Sequence, residues 1–255
     1  MNSLILEHFD HYSLLTINRP QALNALNAEV FSELDEVISS PLPATTRLLV
    51  IRGAGEKAFA AGADITEFAN FTGDQAQMLS KRGQVIFQKL ADSTIPTLAL
   101  INGYALGGGL ELALACQIRV VTKSAVLGLP ELNLALIPGY GGTQRLPLLI
   151  GKGKARYYTL TSENMTGEKA VQLGAADFLV EDLAEGEAFV QAFAKKMSFK
   201  SSVSLGLAQE AIRSSDQAGG FELESLNFKK AFEADDMKEG VGAFLEKRKP
   251  VFKNS

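Results

Sequence analysis

Residues 101–116 read Ile101-Asn102-Gly103-Tyr104-Ala105-Leu106-Gly107-Gly108-Gly109-Leu110-Glu111-Leu112-Ala113-Leu114-Ala115-Cys116. This stretch decides the fold. The segment leading into it, Thr97 to Ile101, is apolar and partly β-branched, the signature of a buried strand. Leu110 to Cys116 is a run of good helix formers. Between them lie three consecutive glycines, Gly107 to Gly109. A strand, a glycine turn and a helix start together aim unpaired backbone N–H groups outward. No side chain in the turn blocks close approach of a ligand. Glu111 then falls in the first helical turn. Backbone donors beside one fixed carboxylate suit a reaction that develops an oxyanion and moves a proton. The same pattern also serves tight helix–strand packing, and a Glu at a helix start favours the dipole anyway. The stretch alone leaves both readings open.

The whole chain narrows the choice. Its 255 residues are 46% hydrophobic and 21% charged, an ordinary globular composition for one large domain or a domain with an appendage. The net charge of −4 argues against a broad nucleic-acid or membrane surface. The single cysteine, Cys116, excludes an intrachain disulfide and a multi-cysteine metal site, and no metal is expected. It lies among apolar helix residues and reads as packing rather than as a nucleophile. The two histidines, His8 and His11, flank a turn at Asp10, and no Gly-x-Ser-x-Gly elbow accompanies them. The first residues carry no cationic-then-apolar pattern, and no apolar run reaches membrane-spanning length. A cytoplasmic location is the expectation.

Outside the central stretch, strand and helix signals alternate. Leu4 to Phe9 and Ser13 to Ile17 suggest a hairpin. Asn27 is a plausible N-cap for a helix burying Val30, Phe31, Leu34, Val37 and Ile38, ended by Pro41 and Pro43. Leu48 to Ile51 reads as a short buried strand. Gly53-Ala54-Gly55 mimics a dinucleotide fingerprint, but no helix follows it. Phe59 to Asp64 reads instead as a loop of small residues with accessible backbone. A helix from about Gln75 to Ala91 places Leu79, Ile86, Phe87 and Leu90 on one face. Ile118 to Thr122 is again strand-like. Glu131 ends the segment Val126 to Glu131, and Pro138 to Thr143 is another glycine-rich turn. From about Ala184 the strands stop. Helices are predicted at Glu185–Met197, Val203–Arg213, Phe221–Ala234 and Met237–Lys247. Met237, Val241, Phe244 and Leu245 form a stripe on the last, to be buried on the core or on a neighbouring subunit. This is an α/β pattern with a helical tail.

Four motifs now combine: Phe59-Ala60-Ala61-Gly62-Ala63-Asp64-Ile65, Asn102 through Ala113, Gly128-Leu129-Pro130-Glu131, and Ile137 through Leu146. In this order and spacing the chain resembles the crotonase (enoyl-CoA hydratase/isomerase) superfamily. The likeness runs nearly end to end, from Asn18-Arg19-Pro20 to Lys247-Arg248.

The resemblance implies an α/β fold, a crotonase-like spiral of ββα repeats over residues 1–195. A C-terminal helical region, residues 196–255, would pack on the core or a neighbouring subunit. It implies an acyl-CoA thioester substrate, no separate cofactor, and a homotrimer or a homohexamer built as a dimer of trimers. By position, the backbone N–H groups of Ala63 and Gly108 match the family's oxyanion hole. The segment Ala63-Asp64-Ile65-Thr66 should line the acyl-CoA path. Glu111 and Glu131 match the two glutamates of the family's hydratases, Glu111 as base toward water and Glu131 as proton donor to C2. Gly139 should shape the backbone near that water. Lys57 and the basic residues Lys247, Arg248, Lys249 and Lys253 could meet CoA phosphates. Asp64 reads as a loop-structuring residue.

The implied activity is hydration of a trans-2-enoyl-CoA to a 3-hydroxyacyl-CoA, of the fatty acid β-oxidation type. An enoyl-CoA isomerase, moving a proton between C2 and C4, is the nearest rival. An RNA-binding member would be expected to show a basic surface, and a scaffold member would not need the intact glycines and glutamates. Three features depart from the family's pattern. Gln117 stands where many relatives have Asp, Ala135 replaces a common glycine, and Ser39 to Thr46 looks abbreviated.

Overall fold

The computed structural model describes residues 3–67, 70–215 and 217–253. In chain order its strands and helices are β1 Leu4–His8, β2 Tyr12–Ile17, α1 Ala28–Ser39, β3 Leu48–Gly53, β4 Ala58–Ala60, α2 Gly73–Ala91, β5 Thr97–Ile101, β6 Tyr104–Leu106, α3 Gly108–Ala115, β7 Ile118–Thr122, β8 Val126–Gly128, α4 Gly142–Ile150, α5 Lys152–Thr161, β9 Met165–Thr166, α6 Gly167–Leu173, β10 Phe178–Val180, α7 Leu183–Met197, α8 Ser202–Arg213, α9 Gly220–Glu233 and α10 Asp235–Leu245. Short 3-10 helices occupy Pro20–Ala22, Ile65–Glu67 and Pro130–Leu134.

The strands sort into two sheets, ordered β1-β2-β3-β5-β7-β10 and β4-β6-β8-β9. Each turn of the chain lays one strand in the first sheet and the next in the second, as β3 then β4 and β5 then β6. A helix then follows, α2 and α3 respectively. These are the ββα repeats the sequence implied. Strands β2, β3, β5, β7 and β10 run parallel, so the first sheet is covered on both faces. Alternation along β3 shows this directly. Leu49 and Ile51 join the main core with Phe59, Phe87, Ile101 and Leu110. Leu48 and Val50 face the other way, toward Val190, Ala194 and Met197 of α7.

The helix signals are local and the structure follows them. The Asn27 side chain caps α1 by accepting from the Val30 N–H. Thr72 and Gln75 form a reciprocal capping box at α2. Gln117 is a latch. Its Oε1 accepts from the Thr97 N–H and Oγ1, and its Nε2 donates to the Ala91 and Ser93 carbonyls. It ties the end of α2 to the start of β5.

Two expectations need correction, and a third narrows to one of its alternatives. The accessible loop at Phe59 to Asp64 begins as a buried strand, because β4 pairs with β6. The glycine turn is shorter than it looked, since Tyr104 to Leu106 is itself a strand and Gly108 already lies in α3. The stripe on α10 is not buried against this chain's core: Val241, Phe244 and Leu245 are exposed, Phe244 at 81%. Phe221 of α9 is exposed at 87%. Among the described residues α8 buries none and α9 only Asn227, so these helices pack chiefly on one another.

Candidate active site

The site forms where β6 delivers the chain into α3. A side chain on Gly109 would start 1.9 Å from the Ala60 carbonyl oxygen, so only glycine lets α3 approach β4 this closely. Gly108 is the first residue of α3, where an N–H has no partner inside the helix. A Cβ on Gly108 would stand 3.4 Å from the Ala63 nitrogen and 3.1 Å from the Tyr140 ring. Those positions define a narrow gap bordered by Gly108, Ala63 and Tyr140.

Ala63 presents its N–H to that gap for a topological reason. Leu26 pairs with it as a parallel bridge, donating to Gly62 O at 2.8 Å and accepting from Asp64 N at 3.0 Å. Both contacts flank Ala63, so Ala63's own N–H points to the opposite side. Asp64 steadies the loop: it accepts from Thr66 Oγ1 at 2.7 Å and pairs with Arg19 Nη2 at 3.0 Å. The Thr66 hydrogen bond, then Arg19, hold its carboxyl below the usual range. Ile65 and Thr66 lie exposed on the 3-10 turn, and Lys57 is exposed just before β4.

Glu111 projects from α3 and is 1% exposed. Its Oε1 accepts from the N–H groups of Tyr140 at 2.8 Å and Gly142 at 2.7 Å. Burial raises its pKa; the donors from Gly142 and Tyr140, and then Arg145, pull the other way and favour the anion. Glu131, on the 3-10 helix Pro130–Leu134, is half-buried. Its Oε2 is buried and has no hydrogen-bond partner among the described residues. Burial, with the Glu111 charge adding to it, pushes its pKa up to about 7. Two carboxyls coupled through charge thus have unlike surroundings: one is held by two backbone donors, and the other keeps a buried oxygen that has none. A coupled pair of this kind suits a single shared proton.

Gly139, at the head of the following turn, accepts through its carbonyl from Ser80 Oγ and Gln84 Nε2. Tyr140 escaped the sequence reading. Its ring is buried against Phe31 and Phe87, with centroids 5.1 and 5.9 Å away, and walls the gap beside Gly108. The one hint was an aromatic residue inside a glycine-rich turn. Ala135 sits at φ 56° just after the Glu131 turn, a left-handed backbone that glycine adopts more readily than alanine. Cys116 is buried and its thiol is pushed up to about 12 by that burial, which removes it as a nucleophile. A cavity of about 670 Å³ lies between Arg47, Pro96 and α8, and neither glutamate lines it. No helix among the described residues is long and apolar enough to cross a membrane.

Comparison with known proteins agrees with this geometry. The family model described as enoyl-CoA hydratase/isomerase matches residues 12–255. A probable enoyl-CoA hydratase of Bacillus subtilis is 41% identical, over 99% of this chain and 99% of its own length. A short-chain-enoyl-CoA hydratase of Clostridium acetobutylicum is 38% identical, over 100% and 99%. The crystal structure of enoyl-CoA hydratase from Bacillus anthracis superposes with a TM-score of 0.94 at 34% identity, over 99% of this chain and 100% of that one.

Proposed function

The chain belongs to the enoyl-CoA hydratase/isomerase family, and we infer that it is a hydratase: it adds water across the C2=C3 bond of a trans-2-enoyl-CoA to give a 3-hydroxyacyl-CoA. One observation carries the choice of reaction. Two carboxyls with unlike hydrogen bonding, Glu111 and Glu131, stand together beside the Ala63 and Gly108 backbone.

The thioester oxygen accepts from the N–H groups of Ala63 and Gly108. Negative charge builds on it as C3 is attacked, and donors already in place stabilise that charge by about 3–4 kcal/mol each. Glu111, as the anion, takes a proton from water while the hydroxyl adds to C3. Glu131 gives its proton to C2. The pair ends with one proton, as it began, and proton exchange between the two carboxyls resets it. An isomerase needs only one carboxylate to carry a proton from C2 to C4, so the second carboxyl favours hydration.

Ala63, Asp64, Ile65 and Thr66 line the path of the acyl-CoA. Asp64 serves it through its backbone, because its carboxylate is occupied by Arg19 and Thr66. Lys57 is exposed, where its ammonium can meet a CoA phosphate. Coenzyme A is part of the substrate and no further cofactor enters the scheme. The exposed apolar faces of α9 and α10 support a homotrimer or homohexamer, with residues 196–255 as the assembly region. A cytoplasmic role in fatty acid β-oxidation is consistent with this chemistry. The test is incubation with crotonyl-CoA and longer enoyl-CoAs, following loss of the conjugated thioester absorbance. No change with any of them would remove the hydratase assignment.

A further inference from the structure

Glu111 is held by consecutive peptide units. The N–H groups of Tyr140 and Gly142 donate to its Oε1, and that of Gly141, between them, also favours its charged form. In a trans peptide unit the carbonyl and the N–H point to opposite sides. Whatever grips the carbonyl therefore aims the N–H.

Each of these carbonyls is gripped from behind. Gly139 O shares its peptide unit with Tyr140 N–H, and it accepts from Ser80 Oγ at 2.6 Å and Gln84 Nε2 at 2.9 Å. Tyr140 O, paired with Gly141 N–H, accepts from Arg145 Nη1 at 3.1 Å. Gly141 O, paired with Gly142 N–H, accepts from the Gln144 and Arg145 N–H groups that open α4. The first two grips converge on one face of α2. Ser80, Gln84 and Gln88 recur at four-residue spacing, and Gln88 Oε1 accepts from Arg145 Nη2 at 3.0 Å. Gly83 and Phe87, on the same face, receive the Tyr140 ring.

We propose that Ser80, Gln84 and Arg145 are positioning residues for Glu111: by holding the Gly139 and Tyr140 carbonyls they aim the backbone N–H groups at Oε1 and fix the carboxylate's orientation and charge. This rests on the reading of Glu111 as the group that takes a proton from water. The titratable groups facing Glu111 are Glu131 from the 3-10 helix, Arg145 from α4 and the Tyr140 phenol. Arg145 acts on Glu111 through its charge as well as through the carbonyl. Ser80 and Gln84 are neutral, so replacing them isolates the effect of the peptide unit.

The experiment compares wild type with Ser80→Ala, Gln84→Ala, their combination, Arg145→Met and Arg145→Lys. The Glu111 carboxyl is titrated by carbon NMR of glutamate-labelled protein, its signal assigned by loss in Glu111→Gln. Turnover of crotonyl-CoA and thermal stability are measured beside it. The Glu111 midpoint should move up in the Ser80/Gln84 pair and in Arg145→Met. Turnover should fall about tenfold or more, and Arg145→Lys should recover part of the loss. If the pair does not fold, Ser80→Ala alone should show the same direction, since Gln84 still donates. An unmoved Glu111 midpoint, whatever the melting temperature does, would overturn the proposal and leave these residues as mere bracing. The NMR readout does not depend on hydratase activity, so an inactive wild type with a moving midpoint would fault the reaction assigned and not the cradle.

Discussion

The N–H of Tyr140 donates to Oε1 of Glu111 at 2.8 Å, across 29 residues of sequence. That bond ties the glycine-rich turn after Glu131 to the carboxylate proposed as the base. Glu111 is buried, yet it is given donors and Arg145. Glu131 has a buried oxygen without a donor and a like charge nearby. The division of labour proposed for the two glutamates rests on this difference in surroundings.

In the proposed mechanism the active form is the singly protonated pair, so kcat/KM for hydration should be bell-shaped in pH. Its alkaline limb should lie near pH 7, where Glu131 loses its proton. Dehydration of the 3-hydroxyacyl-CoA should show the same limb, because the overall reaction neither takes up nor releases a proton. A flat profile from pH 6 to 9 would contradict the assignment of Glu131.

The same group makes a stability prediction. The Glu131 pKa rises from an ordinary 4.5 to about 7 on folding. Between those values the folded state holds the extra proton, so stability falls as pH rises through the interval and levels off above it. Glu131→Gln removes this slope. Denaturant unfolding of the two proteins should therefore agree better near pH 4.5, with the variant gaining relative stability toward pH 8. A gap that shrinks with rising pH would be the wrong sign.

Gly108→Ala should leave the fold intact but abolish most turnover. The new methyl would press on the Tyr140 ring at 3.1 Å and cover the Ala63 N–H at 3.4 Å. Loss of an oxyanion donor typically costs about 10²–10³-fold in kcat. A folded variant with wild-type turnover would show that the thioester oxygen binds elsewhere.

Ala135→Gly should stabilise the protein. A left-handed alanine costs roughly 1–2 kcal/mol, partly offset by the roughly 0.4–1 kcal/mol advantage alanine brings through the unfolded chain. The net gain should be about 0.5–1 kcal/mol in denaturant unfolding. A loss would mean that the methyl group packs usefully despite its backbone angle.

The exposed faces of α9 and α10 predict the assembly. Phe221→Asp with Phe244→Asp places charge on two of the most exposed apolar side chains, 87% and 81% open in the single chain. Sedimentation should show dissociation to smaller species, with a folded core. An unchanged oligomer would place the interface elsewhere.

Much of this was legible in the sequence, for a physical reason. Hydrophobic periodicity and capping are local, so β5, α3 and the Asn27 cap could be read from neighbouring residues. The three-residue strands β4 and β6 could not. Their identity comes from pairing with each other across the intervening α2 and β5, and small residues such as Ala58 and Ala60 have little strand signal of their own. The glutamate pair and the Ala63 loop stood out through their motifs. Ser80, Gln84 and Tyr140 did not, because their importance arises only when α2 meets the turn after Glu131. The α10 stripe was visible as apolar, but whether it meets this core or another chain is a matter of tertiary packing.

The most direct test of the two-carboxyl hydratase is the Glu131→Gln variant, assayed for hydration of crotonyl-CoA and isomerisation of a 3-enoyl-CoA, with acyl-CoA binding measured separately. Glutamine keeps the shape and removes the proton. Hydration should fall by about 10²–10⁴-fold with binding retained, and Glu111→Gln should do the same. The double variant should lose less than the product of the two effects, since the pair acts as a unit. Near-normal hydration by Glu131→Gln would contradict the mechanism; isomerisation retained alongside it would point to chemistry carried by Glu111 alone.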